Sequence, residues 1–286
     1  MFEPLTTLTH LMATLVDPYG NITVPGITDA VAPLTEGERA RYQGIDFSMG
    51  EFAKAAGCAP GPGGAAAAEA PVQAGAGQAD RGPSGLLFPG DTEATLMHRW
   101  RYPTLSLHGV EGAFSDPGAK TVIPRTVVGK FSLRLVPHME PAEIERLLRL
   151  HLVSEFRAIH PSSAAGAGTT TGKPAGDAFG NGLTMKLTSV HGAKAFSGDP
   201  DSENYRAAAA AVDTVWGCQP DLVRSGGSIP VTLPFQDMGK SVLLLPVGRG
   251  DDGAHSQNEK LDTSNYINGI KVMIAYLHEC GLRLGE

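Results

Sequence analysis

One imidazole, His255, stands in the segment GRGDDGAHSQNEK, Gly248 to Lys260, among carboxylate and amide side chains. A neutral imidazole can ligate a divalent metal through one ring nitrogen while a carboxylate such as Asp251, Asp252 or Glu259 holds the other. The same composition also suits a polar loop whose Asp and Asn residues make turns. One histidine is not a metal site, because a catalytic zinc takes about three protein ligands and an open position. The chain has no HExxH, no His-x-Asp and no adjacent Glu-Glu pair, and its His-x-Glu, His138 and Glu140, falls in the proline-flanked turn PHMEP. Ser228, in SGGSIP, could aim a hydroxyl and neighbouring backbone N–H groups at a carboxylate, or could simply belong to a tight turn. Arg134, in KFSLRLVP, could grip a carboxylate through both arms of its guanidinium, or could sit in a surface salt bridge. His108 and His191 each end an alternating run, where a histidine is more often a strand-end hydrogen-bonding group than a ligand.

These residues need elements to hold them. In TVVGKFSLRLVP, alternation puts Val127, Phe131, Leu133 and Leu135 on one face and Lys130, Ser132 and Arg134 on the other, which predicts a half-buried strand with Arg134 facing away from the core. Pro141 then opens a helix whose stripe is Ile144, Leu147, Leu148, Leu152 and Phe156. GLTMKLTSVHG and TLSLHGVEGAF read as further strands, and PLTTLTHLMATLV as a leading helix. Together they predict an α+β module, an antiparallel sheet with helices on one side, over residues 1–199. Beyond Pro200, Tyr205, Ala208, Ala209, Val212, Val215 and Trp216 recur at helical spacing before Gly217, a C′ glycine. The apolar run SVLLLPVG predicts a buried strand, and Ile267, Ile270, Ile274 and Leu277 stripe a last helix. A buried strand between helices is an α/β signature, assigned to residues 200–286. His255 then falls just past the carboxyl end of that strand, where open α/β sheets place ligands.

Two Ala/Gly/Pro-rich stretches, Cys58–Gly90 and Pro161–Gly182, carry few bulky apolar residues and read as flexible surface insertions. The remainder reads as globular, and the whole chain of 286 residues is 42% hydrophobic. A net charge of −7 without a basic run excludes a protein built to follow a phosphate backbone. Three scattered cysteines give neither a disulfide framework nor a thiolate zinc site and fit a reducing, cytoplasmic setting. No segment reaches the roughly 18 apolar residues of a membrane span, so neither nucleic acid nor membrane is expected as a partner.

Taken together, MHRWRYPTLSLHGVEGAFSDPGAKTVIPRTVVGKFSLRLVPHMEP, CQPDLVRSGGSIPVT and LLLPVGRGDDGAHSQNEKLDTSNYINGIK strongly resemble the carnosine dipeptidase / cytosolic non-specific dipeptidase family of dinuclear metallopeptidases. The resemblance covers nearly the whole chain outside the two insertions. It implies an α+β lid that mediates homodimerisation, followed by the C-terminal portion of an α/β catalytic domain. It implies two divalent metal ions, zinc or manganese, with His255 as one terminal ligand. Arg134 and Ser228 become clamps on the carboxylate end of a dipeptide, and Thr121 and His191 lid residues that reach the substrate, Thr121 from the partner subunit. Ser225 departs from the acidic residue usual just before GGSIP. The family's other ligands and its glutamate general base precede the lid and have no counterpart here. The expectation is therefore a C-terminal part of a dipeptidase, inactive alone, or a non-catalytic dimerisation or regulatory protein derived from one.

Overall fold

The computed structural model describes residues 3–55, 86–88, 90–160, 177–178, 183–225 and 229–283. Most of Cys58–Gly90 and of Pro161–Gly182 lies outside them. The chain forms two compact units, neither continuous in sequence: Met1–Ala32 with Tyr102–Ala195, and Pro33–Arg101 with Phe196–Glu286. The crossing at 195/196 falls near Pro200, but residues 33–101 pack with the C-terminal segment rather than with their sequence neighbours.

In the first unit, β1 (Thr104–Glu111) pairs antiparallel with β2 (Val128–Arg134), with a bulge between Leu107 and Gly109. Along β2 the exposure alternates as its sequence predicts: Phe131 and Leu133 are half-buried, and Lys130, Ser132 and Arg134 are exposed. Helix α1 (Pro4–Ala13) crosses this sheet where Gly129 stands, and a Cβ there would lie 2.7 Å from Met12 Sδ and 2.9 Å from Leu8 Cδ1. The predicted helix after Pro141 is α5 (Pro141–Ile159), and its buried residues Ile144, Leu148, Leu152 and Phe156 are spaced to fall on one face. That face joins Leu11, Leu15, Val24, Ile27, Leu105, Val136 and Met139 in one apolar core. GLTMKLTSVHG is a strand only at β4 (Thr184–Met185), which pairs with β3 (Asp177–Ala178).

The second unit adds helices that hydrophobic periodicity did not announce: α2 (Glu36–Gln43), α3 (Met49–Ala55) and α4 (Thr92–Leu96), the last running into a π-helical turn, Met97–Arg101. Their signal was capping. Thr35 Oγ1 accepts from Glu38 N at 3.2 Å and Asp91 Oδ1 from Ala94 N at 2.8 Å, the local bonds by which Thr and Asp start helices.

Helix α6 (Glu203–Trp216) ends at Gly217 in the left-handed region, φ +69, as a C′ glycine should. Its buried positions are Asn204, Ala207, Ala208 and Ala211, not the bulkier stripe the sequence suggested. The small side chains let α8 (Thr263–Arg283) come close, while Trp216 stays 44% exposed. Between these helices lie the short α7 (Thr232–Asp237) and the run Ser241–Val247. That run forms no strand, because no described segment offers it backbone partners; side chains take its end carbonyls instead, Asn204 Nδ2 at Ser241 O (3.1 Å) and Asn265 Nδ2 at Val247 O (2.9 Å). Helix α8 turns Gly269 and Val272 inward, and a Cβ on Gly269 would stand 2.4 Å from Val247 Cγ1. The stripe expected to be core, Ile267, Ile270, Ile274 and Leu277, is instead 47% to 69% exposed.

Candidate functional site

His255 sits in the loop between Val247 and α8, exposed, with φ +65. A left-handed backbone costs an L-residue roughly 1–2 kcal/mol, and Gly253 (φ +67) and Asn258 (φ +60) share it. What balances this strain is a braced frame. Asp252 is buried: its Oδ2 accepts from Arg249 N at 2.7 Å, and its carbonyl accepts from Lys260 N at 2.9 Å. A Cβ on Gly248 would stand 2.6 Å from Asp252 Oδ2, so a side chain there would displace the carboxylate. The Lys260 ammonium reaches Asp252 Oδ1 (3.3 Å), Asp251 Oδ2 (3.4 Å) and Asp262 Oδ1 (3.7 Å), while Arg249 meets Asp251 (3.3 Å) and Asp262 (3.2 Å) from the other side. The hydrogen bond from Lys260 holds the Asp251 carboxyl below its ordinary range. Of the three carboxylates that could hold the second ring nitrogen, Asp251 and Asp252 are thus paired with Lys260 and Arg249, and Glu259 is exposed. Sequence reasoning missed the two cations, although the alternation of charge from Arg249 to Asp262 was a usable signal.

Arg134 closes β2 opposite Thr104, exposed on the polar face of the ribbon. Its neighbours there pair off: His108 Nε2 lies 2.6 Å from Ser132 Oγ, and Lys130 bonds Glu111. Among the described residues no carboxylate pairs with Arg134, so the salt-bridge alternative finds no partner there. Thr121 and His191 are exposed in segments without secondary structure. Arg134, Thr121 and His191 belong to the first unit and His255 to the second. Ser228 lies outside the described residues. Within the first unit, no hydrogen bond or ion pair joins Arg134, Thr121 and His191 to one another among the described residues.

No three His, Cys, Asp or Glu side chains are gathered so that they could hold a metal ion, again among the described residues. His255 alone does not fit a two-metal centre, whose remaining ligands would have to come from elsewhere. Nor is any described helix long and apolar enough to cross a membrane.

The model of peptidase family M20/M25/M40 matches residues 21–279. The chain belongs to this family. It is 44% identical over 278 residues to the Cys-Gly metallodipeptidase dug1 of Schizosaccharomyces pombe, covering 97% of this chain and 49% of the relative. It is 38% identical to the human Beta-Ala-His dipeptidase, over 98% of this chain and 46% of that protein. The solved structure of the dipeptidase Dug1p from Saccharomyces cerevisiae superposes with a TM-score of 0.75 at 41% identity, covering 98% of this chain and 49% of that one. Human carnosine dipeptidase 1 gives 0.73 at 36%. The chain therefore spans about half the length of the curated relatives it matches, and these relatives are metallodipeptidases and dipeptidases.

Proposed function

We propose that the chain supplies the substrate-carboxylate clamp and one metal ligand of a metal-dependent dipeptidase. The observation that carries this reading is the 44% identity to a Cys-Gly metallodipeptidase along 97% of the chain. In this reading Arg134, uncommitted on the rigid end of β2, and Ser228 hold the free carboxylate of a dipeptide. Thr121 and His191 reach the same substrate, Thr121 from the partner of a homodimer. His255 is a terminal ligand of a centre of two zinc or manganese ions, completed by ligands and a general base outside the described residues. Residues 1–199 act as lid and dimerisation domain, and 200–286 as the C-terminal segment of the catalytic domain, in a cytoplasmic enzyme. The exposed Val110, Phe114, Val122, Ile123 and Val128 beside the β1–β2 ribbon support a dimer contact there. The exposed α8 stripe supports a seat for the half of the relatives that this chain does not span, since a helix apolar on most sides is normally covered on most sides.

The test is to co-express the chain with the first half of the S. pombe relative and to measure bound metal and Cys-Gly hydrolysis, on the pair and on the chain alone. The reading expects weak metal binding and no turnover from the chain alone, and both properties from the pair. Turnover by the chain alone, or a stable pair whose His255→Ala variant keeps full metal occupancy, would refute these assignments. The absence of a three-ligand group among the described residues favours a second reading, a non-catalytic dimerisation or regulatory protein. A stable pair that binds metal but hydrolyses no dipeptide would select it.

A further inference from the structure

We infer that Asp252 is a positioning residue, which together with Lys260 presets the backbone of His255 without any bound metal. Three features of the loop converge on it. Asp252 is the one buried carboxylate of the Gly248–Asp262 segment, and its side chain holds both ends of the loop, the near end at Arg249 N and the far end at the Lys260 ammonium, while its main-chain carbonyl accepts from the Lys260 amide. Between those ends, Ser256 folds back on Gly253 O through its amide (2.9 Å) and its hydroxyl (2.7 Å), so the chain on either side of His255 is tied locally. His255 itself makes no bond that would favour its left-handed φ among the described residues, so the constraint must come from the frame. A charge-assisted hydrogen bond to a buried carboxylate is strong enough to supply it. Asp251 and Asp262 extend the frame on its exposed side, where solvent screening weakens them, leaving Asp252 as its centre.

The consequence for the proposed enzyme is a ligand delivered in advance, so that binding a metal need not first order a loop of small and polar residues. That purpose rests on the dipeptidase reading; the preset conformation does not, and it can be measured on the chain as it stands. With histidine selectively labelled, the backbone chemical shifts of His255 report a left-handed residue directly. We expect them in the wild-type chain with metal chelated away. Asp252→Ala should move them toward values of an unconstrained loop and raise amide exchange at Ser256 and Lys260 by about tenfold or more, the effect of losing one charged hydrogen bond. The Tyr276 ring signals, from the α6–α8 packing, should stay in place. Lys260→Arg should keep the wild-type shifts, and Lys260→Met should follow Asp252→Ala. Left-handed shifts that persist in Asp252→Ala, or wild-type shifts already averaged, would overturn the inference. Dipeptide hydrolysis by the pair carrying His255→Ala tests the ligand role separately, so each idea can fail alone.

Discussion

Glu38 carries the sharpest stability prediction. Arg101, at the end of the π-helical turn, is only 2% exposed, and its Nε lies 3.2 Å from Glu38 Oε2; the other oxygen of Glu38 takes Arg224 Nη2 at 2.7 Å. Glu38 is itself 16% exposed, so the pair is largely withdrawn from solvent, and this carboxylate is one of the groups that offset the desolvation of the guanidinium. Removing one partner of a buried pair typically costs about 3–5 kcal/mol, because the other charge is left uncompensated. Glu38→Gln keeps the size and one accepting oxygen, which puts the expected loss near the lower figure, about 3 kcal/mol. The Arg224 arm adds little, since Arg224 is 35% exposed and such pairs contribute about 0–1 kcal/mol. For a unit of this size that loss corresponds to a fall in melting temperature of roughly 6–12 °C. The assay is thermal and urea unfolding followed by tryptophan fluorescence, because Trp100 adjoins Arg101 and Trp216 ends α6, both in the second unit. Glu38→Leu combined with Arg101→Met should recover most of the loss, since an apolar pair has no charge to bury. A melting temperature within a degree or two of wild type for Glu38→Gln would refute the reasoning, and so would a double variant no better than the single one.

Three other outcomes follow from the same physics. His160, 1% exposed against the Phe156 ring with Nε2 3.4 Å from Thr7 Oγ1, has its pKa lowered by burial, so below about pH 6.5 the unfolded chain binds a proton that the folded one resists. Its contribution is complete above that value and lost as the pH falls toward the depressed folded pKa; the urea midpoint of the first unit should decline between pH 7 and 5, and the decline should shrink in His160→Gln. Gly269→Ala should push α8 away from Val247 and cost about 1–3 kcal/mol, the usual range for overpacking, read by the same unfolding assay. In the co-expressed pair, Arg134→Ala should lower kcat/KM for dipeptides with a free carboxylate by about 2–4 kcal/mol of transition-state binding, with Arg134→Lys restoring only part; an equal loss with amidated dipeptides would exclude the clamp.

What could be read from the sequence was whatever depends on spacing within one element. The α5 stripe, the alternation along β2 and the glycine end of α6 are local, and each has the form its residues imply. What depends on a partner was less legible. The α6 stripe was read through its bulkier residues, whereas the buried face is Asn204, Ala207, Ala208 and Ala211, small enough for α8 to pack closely. SVLLLPVG, Ser241 to Gly248, has strand composition, but a strand is a relation between two segments, and no described segment supplies the other half. His255 was recognisable as a residue of interest because of its surroundings, while the cations that brace its loop went unread, since the acids were weighed only as partners of the histidine or as turn formers. Asp251 and Asp252 pair with Lys260 and Arg249, and the histidine is exposed.

The α8 stripe connects these cases. Ile267, Ile270, Ile274 and Leu277 are spaced as a core face, yet they are largely uncovered, while Gly269 and Val272 on the neighbouring sector are packed. A surface helix needs only one apolar sector, and here α6 and Val247 already occupy it, so the additional apolar residues make no sense for a helix with nothing more to meet. Beside them runs a segment of strand composition without a ladder, and just beyond it the braced loop holds out an imidazole. All three features belong to the second unit, and among the described residues the first has no cover, the second no paired backbone and the third no group of three metal-binding side chains. In the proposed enzyme, the half of the relatives that this chain does not span would supply all three. That economy is why the co-expressed pair, rather than further substitution in the chain alone, is the experiment that bears most directly on function.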